Sequence, residues 1–201
     1  MVHIESITKE YPTKTLFSEA SIHLRPSTRV GLVGRNGTGK TTLLRMIIGT
    51  DTMDDGRIRK RPWLRIGYLP QELDTPTNQT VLQATHQDEY PEYEAKRILS
   101  GLGFQEGEWE RTLDTFSGGY RMRVALGHLL LSNPDVLMLD EPTNHLDKPT
   151  QGWLESFLLH SQMTMVIISH DTKFLNRMVT HIWEIRHHKI QEYRGNYHTF
   201  Q

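Results

Sequence analysis

The sequence predicts an α/β fold with a parallel sheet covered by helices. A short apolar run over residues 29–33 leads into a glycine-rich turn, and apolar residues then recur at helical spacing over 41–48. Two further runs, 135–139 and 164–168, are apolar on both faces, and a helical segment over 150–159 separates them. Strands that lie between two helical layers in a parallel sheet have this composition.

The elements on either side of this framework follow from local patterns. Val2, Ile4 and Ile7 indicate a first strand, and residues 21–25 indicate a second one that ends at a Pro-Ser turn. Gly49 marks the end of the first helix. The C-terminal segments 181–185 and 189–193 are predicted as two more strands.

The middle of the chain is more polar than the segments on either side. Polar residues dominate from about 75 to 111, with helical stretches over 81–85 and 93–99. A longer helix is predicted from Gly118 to about Leu131. We interpret this region as a small helical insert, a subdomain at about 75–132 within a single domain of 1–201.

The composition of the chain excludes several kinds of site and of protein. The chain has 201 residues, a formal net charge of -1 and no cysteine, which excludes disulfides and thiolate metal sites and suits a reducing cytoplasm. No apolar run reaches the roughly 20 residues that a membrane helix needs. The eleven histidines show no ligand-pair spacing. The basic run 57–61 is either a solvated strand face or a patch that faces an anion or RNA.

The glycine-rich turn fits the pattern of a phosphate-binding loop. Glycines let backbone N–H groups converge on phosphate oxygens, and the following helix directs its positive end at the same anion. Lys40 is expected to reach the β- and γ-phosphates, and Thr41 to offer its hydroxyl to Mg²⁺. We assign Thr42 to the same site. The loop reads Gly34-Arg35-Asn36-Gly37-Thr38-Gly39-Lys40-Thr41.

Two carboxylates follow the apolar strand 135–139. Nucleotide hydrolases of this type place acidic residues at the C-terminal end of a buried strand. Asp140 is then expected to bind Mg²⁺, and Glu141 to orient or deprotonate the attacking water. The alternative is that the two acids cap the next helix.

Two more polar residues are candidates for the nucleotide site. His170 either begins a helix that Ser169 or Asp171 caps, or hydrogen-bonds the γ-phosphate as a switch. Gln71 is either a loop glutamine or a residue that reaches Mg²⁺ and the water.

A second anion site is predicted at Ser117-Gly118-Gly119. Serine is a good N-cap, and paired glycines allow another group to approach the start of the long helix. One chain does not easily place both anion sites on one nucleotide. The simplest arrangement is a head-to-tail dimer in which ATP lies between the loop of one domain and this helix of the other.

These motifs together resemble the ATP-binding-cassette (ABC) ATPase domain over essentially the whole chain. They occur in the order of that family: Tyr11 as an adenine-stacking aromatic, the Walker A loop, Gln71, the Ser117 motif, Asp140-Glu141, an Asp147 loop and His170. The resemblance implies a P-loop NTPase, RecA-like core with an antiparallel β-subdomain and a small α-helical subdomain. It also implies Mg²⁺-dependent ATP hydrolysis in a sandwich dimer.

Finer details resemble the ABC-F branch, whose members lack membrane domains. These are the segments 141–147, 116–123 and 193–197. That branch often has tryptophan where this chain has Tyr120. Its members usually carry two cassettes joined by a helical linker, and many insert a helical arm before the Ser117 region. Here the chain stops at Gln201, near the expected start of the linker, and the arm is not evident, which puts ribosome binding in question.

The favoured function is therefore an ABC-F-like cytoplasmic ATPase cassette with a ribosome-linked or other soluble task. Its partner is a second cassette, as a homodimer or as the other half of a tandem protein. The rival hypotheses are the ATP-binding subunit of a membrane transporter and a non-enzymatic interaction module.

Overall fold

A computed structural model describes residues 1–72, 78–86 and 88–200. The chain folds into two compact units, described separately below. The predicted start of a helical subdomain at 75, and Gln201, lie outside the described residues. The assignment of 1–201 to one domain with a helical subdomain stays a prediction. The first unit comprises Met1–Tyr68, Asp135–Asp140 and Gln162–Gln201, and the second comprises Leu69–Pro134 and Glu141–Ser161.

A three-stranded antiparallel sheet opens the first unit. Its central strand is β1, and the strand order is β2-β1-β4. The predicted second strand is longer than residues 21–25, because a register shift places an extra residue between Phe17 and Ala20 and interrupts the alternation of β2 there. The strands are β1 (Val2–Tyr11), β2 (Lys14–Leu24) and β4 (Asp55–Lys60).

The predicted parallel sheet is confirmed as the six-stranded sheet of the first unit. Its central strand β3 pairs in parallel with β7 and β8, whereas β9 is antiparallel to β8. Strand β5 was not predicted, since it has only four residues and Gly67 interrupts its apolar pattern. The strand order is β5 (Ile66–Leu69), β6 (Val136–Asp140), β7 (Thr164–Ile168), β3 (Arg29–Val33), β8 (His181–Arg186) and β9 (Lys189–Arg194).

The two sheets of the first unit share a hydrophobic core with helix α1 (Lys40–Ile48). The core includes Phe17 from β2 and Trp183 from β8, both fully buried. Gly49 ends α1 with a left-handed backbone, as predicted. Helices α6 (Thr172–Met178) and α7 (Tyr197–Phe200) complete the unit.

The second unit is helical. Its longest helix, α4, matches the predicted bounds and passes close to α2 and α3 at Gly127. A Cβ there would lie 3.2 Å from Leu102 and 3.3 Å from Thr85. Two short 3-10 turns, Glu106–Glu108 and Leu113–Thr115, connect α3 to α4. The helices are α2 (Val81–Thr85), α3 (Glu92–Gly101), α4 (Gly118–Leu131) and α5 (Lys148–His160).

His187 and His188 form the turn between β8 and β9, with φ of 50° and 62°. The basic run 57–61 lies mostly on β4, where Arg57 and Arg59 are exposed, as the strand-face interpretation required. Among the described residues, no helix has the length and apolar character needed to cross a membrane.

Candidate functional site

The glycine-rich loop joins β3 to α1 in the first unit. Thr38 closes the loop on itself, since its hydroxyl and its N–H donate to the Arg35 carbonyl at 2.9 and 3.2 Å. Position 34 has no room for a side chain, because a Cβ would lie 2.8 Å from Thr38 Oγ1 and 3.0 Å from the Ile185 carbonyl oxygen. Asn36 lies in the same loop, and Thr42 in the first turn of α1.

Lys40 is the first residue of α1. Its ammonium donates to the carbonyls of Gly34 and Arg35 at 2.9 and 3.3 Å, which places the positive charge over the loop. Lys14 also reaches the loop from β2 and donates to the Gly37 carbonyl. Sequence reasoning missed Lys14, because no spacing rule connects a strand residue to a turn 23 positions later.

Thr41 and Asp140 meet although they are 99 positions apart in the chain. The Thr41 hydroxyl donates to Asp140 Oδ2 at 2.6 Å. Asp140 ends β6 and is only 3% exposed. Burial raises the pKa of its carboxyl, while the Thr41 hydrogen bond and the charges of Lys40, Arg45 and His170 act in the opposite direction.

The helix-capping alternative for these acids is wrong. Helix α5 begins after Asp147, whose carboxylate accepts from the Thr150 N–H at 3.0 Å. Asp140 bonds Thr41 instead, and Glu141 is six positions before the cap.

His170 and Tyr11 also belong to the first unit. His170 follows β7 and is exposed, and Asp171 caps helix α6 by accepting from two backbone N–H groups. Tyr11 ends β1 with 44% of its surface exposed. The Lys9 ammonium lies 5.1 Å from the Tyr11 ring centroid, so a cation covers part of the surface that was expected to stack on adenine.

The second unit holds the Ser117-Gly118-Gly119 segment. Ser117 occupies the N-cap position of α4, as predicted, but its side chain makes no hydrogen bond to the helix. Space around Gly118 is open, since a Cβ there would meet nothing within 4 Å. A cavity of about 380 Å³ adjoins the helix start. It is lined by Gln71, Glu72, Gly118, Gly119, Arg121, Met122 and His145.

Glu141 begins the part of the second unit that directly follows β6. It is 7% exposed and has a φ of 54°. Residues other than glycine rarely adopt this left-handed conformation, which costs of the order of 1–2 kcal/mol. Such a cost is common where a side chain must be held in one direction for function.

The structure therefore groups the predicted residues in two sets. In the first unit, the loop residues lie with Thr41 and Asp140, and His170 is near enough to influence the Asp140 carboxyl. In the second, Gln71 shares a cavity with Gly118 and Gly119.

The nucleotide loop on a parallel sheet, with an acid at the end of a neighbouring strand, defines a P-loop NTPase fold. A family model described as ABC transporter matches residues 17–144. The chain belongs to this ABC family, and its curated relatives include proteins of the F branch.

Two relatives and one solved structure illustrate the similarity. ABC transporter F family member 2 of Arabidopsis thaliana is 33% identical over 98% of this chain and 36% of its own length. The energy-dependent translational throttle protein EttA of Haemophilus influenzae is 33% identical over 92% of this chain and 41% of its own length. The chain thus spans well under half of these relatives. A dimeric structure of the ATP-binding cassette MJ0796 with ADP and Pi has a TM-score of 0.80 at 20% identity, covering 96% of this chain and 98% of that one.

Proposed function

We propose that this chain is an ATP-hydrolysing cassette that closes on ATP together with a second cassette. The observation that carries the proposal is the hydrogen bond from Thr41 to the buried Asp140. It joins the first turn of the helix after the phosphate loop to an acid at the end of a neighbouring buried strand, and P-loop ATPases use this pair at Mg²⁺.

The residues present fit both ATP and Mg²⁺. The Lys40 ammonium over the loop matches the charge of phosphate oxygens, and the side chain excluded at Gly34 leaves the backbone able to approach them. Thr41 and Asp140 offer the oxygen ligands that Mg²⁺ prefers, and Gln71 stays a predicted further ligand. When bound, Mg²⁺ would offset the charge on the phosphate oxygens.

The chemistry assigned to the side chains is hydrolysis of the terminal phosphate. Glu141 would orient a water and accept its proton as the water oxygen bonds to the γ-phosphorus and the bond to ADP breaks. Lys40 would hold the phosphates in place. His170 would hydrogen-bond the γ-phosphate, and Tyr11 would stack on adenine once the Lys9 ammonium moves aside.

The second anion site would act on the ATP that the partner cassette holds. Ser117, Gly118 and Gly119 would contact ATP held by the loop of another cassette, in a homodimer or in a tandem protein. The open space at Gly118 and the Ser117 hydroxyl, which the helix does not use, support this role.

The biological task we propose is cytoplasmic and linked to the ribosome or translation. The similarity to F-branch relatives, one of them a translational throttle protein, supports this choice over the transporter-subunit alternative. The match to less than half of each relative supports a tandem partner as the second cassette.

The decisive experiment is light scattering on Glu141→Gln, with and without Mg²⁺-ATP. This variant should bind ATP while turnover falls by about 10²-fold or more. We expect a dimer with ATP, and a monomer with ATP when Ser117→Arg is added. An ATP-dependent dimer that persists in the double variant would refute the shared site.

Lys40→Ala tests the phosphate loop independently. We expect ATP affinity to fall sharply in a binding titration, because the loop loses the Lys40 ammonium that would hold the phosphates. Unchanged affinity would contradict the proposed nucleotide site, whatever the oligomeric state.

A further inference from the structure

The turn after β4 presents a tryptophan to solvent at a backbone position that favours glycine. The Leu64 N–H donates to the Arg61 carbonyl at 3.3 Å, which closes a turn with Pro62 and Trp63 at its centre. Trp63 has a φ of 60°. Proline followed by a residue of positive φ is the pattern of a type II turn, in which glycine normally holds the second position.

Packing in the folded chain does not offset the backbone strain of Trp63. Its surface is 96% exposed, the highest value among the exposed large hydrophobic side chains of the described residues. A bulky side chain in the left-handed region costs of the order of 1–2 kcal/mol, and burial offsets none of it here. A strained residue without packing is a reason to look for a ligand.

The chain on both sides of Trp63 is basic. Arg57 and Arg59 share one carboxylate, Glu5, and the side chains of both arginines are more than 60% exposed. Arg61 lies 3.7 Å and Arg65 4.0 Å from Asp135. Lys60 follows Arg59 on β4, and its ammonium donates to the Ile48 carbonyl at 3.1 Å. The four arginines thus pair with two carboxylates, in a chain whose formal net charge is -1. We call this surface the Trp63 patch; it comprises Arg57, Arg59, Lys60, Arg61, Trp63 and Arg65.

A cavity of about 470 Å³ adjoins the patch. Its lining consists of Arg59, Lys60, Arg61, His3, Met1 and Pro26. Strand pairing explains the position of His3, since it lies opposite Arg59 in the sheet and stacks on His23 with ring centroids 3.8 Å apart. Guanidinium, ammonium and imidazole groups therefore converge on a recess of the size of a nucleotide.

We propose that the Trp63 patch binds single-stranded RNA, with phosphates on the arginines and a base stacked on Trp63. This inference is independent of the ATPase proposal. Stacking on an aromatic ring beside a basic groove is the usual means of binding unpaired nucleic acid.

The composition of the patch favours RNA over other polyanions. Four of the five cations are arginines, whose planar groups bind phosphate in two contacts and also stack on bases. An acidic peptide would use the charges but not the exposed indole. Duplex DNA hides its base faces, whereas RNA exposes them in loops and single strands.

The test is fluorescence anisotropy of a labelled short oligouridine titrated with the 201-residue chain. We expect binding that weakens with salt between about 50 and 200 mM, with a log–log slope of about -2, as for three phosphate contacts on a single strand. Trp63→Gly should weaken binding about 10-fold, the usual contribution of one stacked base. Because glycine suits the turn, this variant should have an unfolding midpoint equal to that of the wild type or higher.

Matched variants separate the patch from general surface effects. Tyr93→Ala removes an exposed aromatic of α3, and Arg186→Ala an exposed arginine of β8; neither should alter RNA affinity. Arg61→Ala should weaken binding and reduce the salt slope by about 0.7. Equal loss in Tyr93→Ala and Trp63→Gly, or in Arg186→Ala and Arg61→Ala, would overturn the proposal.

Competitors test the identity of the ligand. The same titration is run with single-stranded DNA, with polyglutamate and with vesicles that contain phosphatidylserine. Comparable or weaker binding of the DNA strand, with little binding of the other two, supports the assignment. Tighter binding of DNA, or binding of polyglutamate or vesicles that Trp63→Gly leaves unchanged, would overturn it.

Discussion

The guanidinium of Arg123 donates two hydrogen bonds to the backbone carbonyl of His145, from Nε at 3.1 Å and from a terminal nitrogen at 2.9 Å. Its other terminal nitrogen donates to the Leu102 carbonyl at 3.3 Å. Arg123 is 6% exposed, and Tyr120 covers its guanidinium at 4.7 Å. One buried cation therefore ties helix α4 to the segment before α5 and to the end of α3.

Replacing Arg123 should destabilise the chain. Arg123→Met leaves the buried Leu102 carbonyl and the partly buried His145 carbonyl without this donor, so we expect the free energy of unfolding to fall by about 3 kcal/mol. Arg123→Lys keeps the charge but not the fork of donors, and should cost about half as much. Urea unfolding measures both, with Arg97→Met on the exposed face of α3 as the control. A loss below about 0.5 kcal/mol in Arg123→Met would mean that water replaces the guanidinium.

Asp147 should make stability depend on pH in the acid range. Hydrogen bonds from Thr150 lower the pKa of its carboxyl, and the Arg123 charge adds to this effect. Because the pKa is lower in the folded state, the stabilisation is complete above the unfolded value of about 3.9 and disappears as pH falls through the folded value. The effect is modest, since the side chain is 57% exposed.

Two substitutions at Asp147 separate the cap from the charge. Asp147→Ala should cost about 1 kcal/mol at pH 7 through the lost N-cap, and Asp147→Asn much less. Denaturant unfolding between pH 5 and 3 should show a smaller loss of stability in Asp147→Asn than in the wild type. Identical pH profiles would show that the Asp147 charge does not contribute.

Asp140→Asn should raise stability while it abolishes turnover. Burial raises the pKa of Asp140, so the ionised folded state is penalised; the penalty sets in as pH rises above the unfolded pKa and is complete above the folded pKa. An asparagine oxygen still accepts from Thr41 and carries no charge. We expect a gain in the free energy of unfolding at pH 8 that shrinks toward pH 4, close to the unfolded pKa of about 3.9.

Unfolding at the two pH values, with an ATPase assay, checks this prediction. Asp140→Ala is the matched control, because it removes the Thr41 acceptor as well as the charge and should not gain stability. A less stable Asp140→Asn at pH 8 would show that Lys40, Arg45 and His170 fully compensate the carboxylate.

The sequence could predict those parts of the structure that depend on residues close together in the chain. The phosphate loop is predictable because its glycines are needed where they stand, and α4 because Ser117 and the apolar spacing mark its start and length. The Thr41–Asp140 contact was implied by the roles assigned to each residue, although 99 positions separate them.

The missed features depend on partners that only the tertiary fold brings together. The contact of Lys14 with the Gly37 carbonyl and that of Arg123 with the His145 carbonyl pair a side chain with a distant backbone group. A backbone carbonyl has no sequence signature. The early start of β2 was missed for another reason, since bulges remove the alternation that marks a strand.

Two glycines in helices of the second unit should respond to alanine in opposite directions. Gly152 lies exposed within α5, and a Cβ there would meet nothing within 4 Å. Gly101 ends α3, and a Cβ there would lie 1.9 Å from Trp153, inside its ring system. Alanine favours a helix over glycine by about 1 kcal/mol, so only the available space distinguishes the two sites.

We therefore expect Gly152→Ala to raise the free energy of unfolding by up to about 1 kcal/mol, and Gly101→Ala to lower it by about 1–3 kcal/mol through overpacking. Thermal and urea unfolding of both variants give the comparison. In a chain that already carries Trp153→Ala, Gly101→Ala should cost less stability than it does in the wild type, because the clash with the indole is removed. Strictly additive effects would show that the indole does not contact Gly101 in solution, and that α3 and α5 pack differently there.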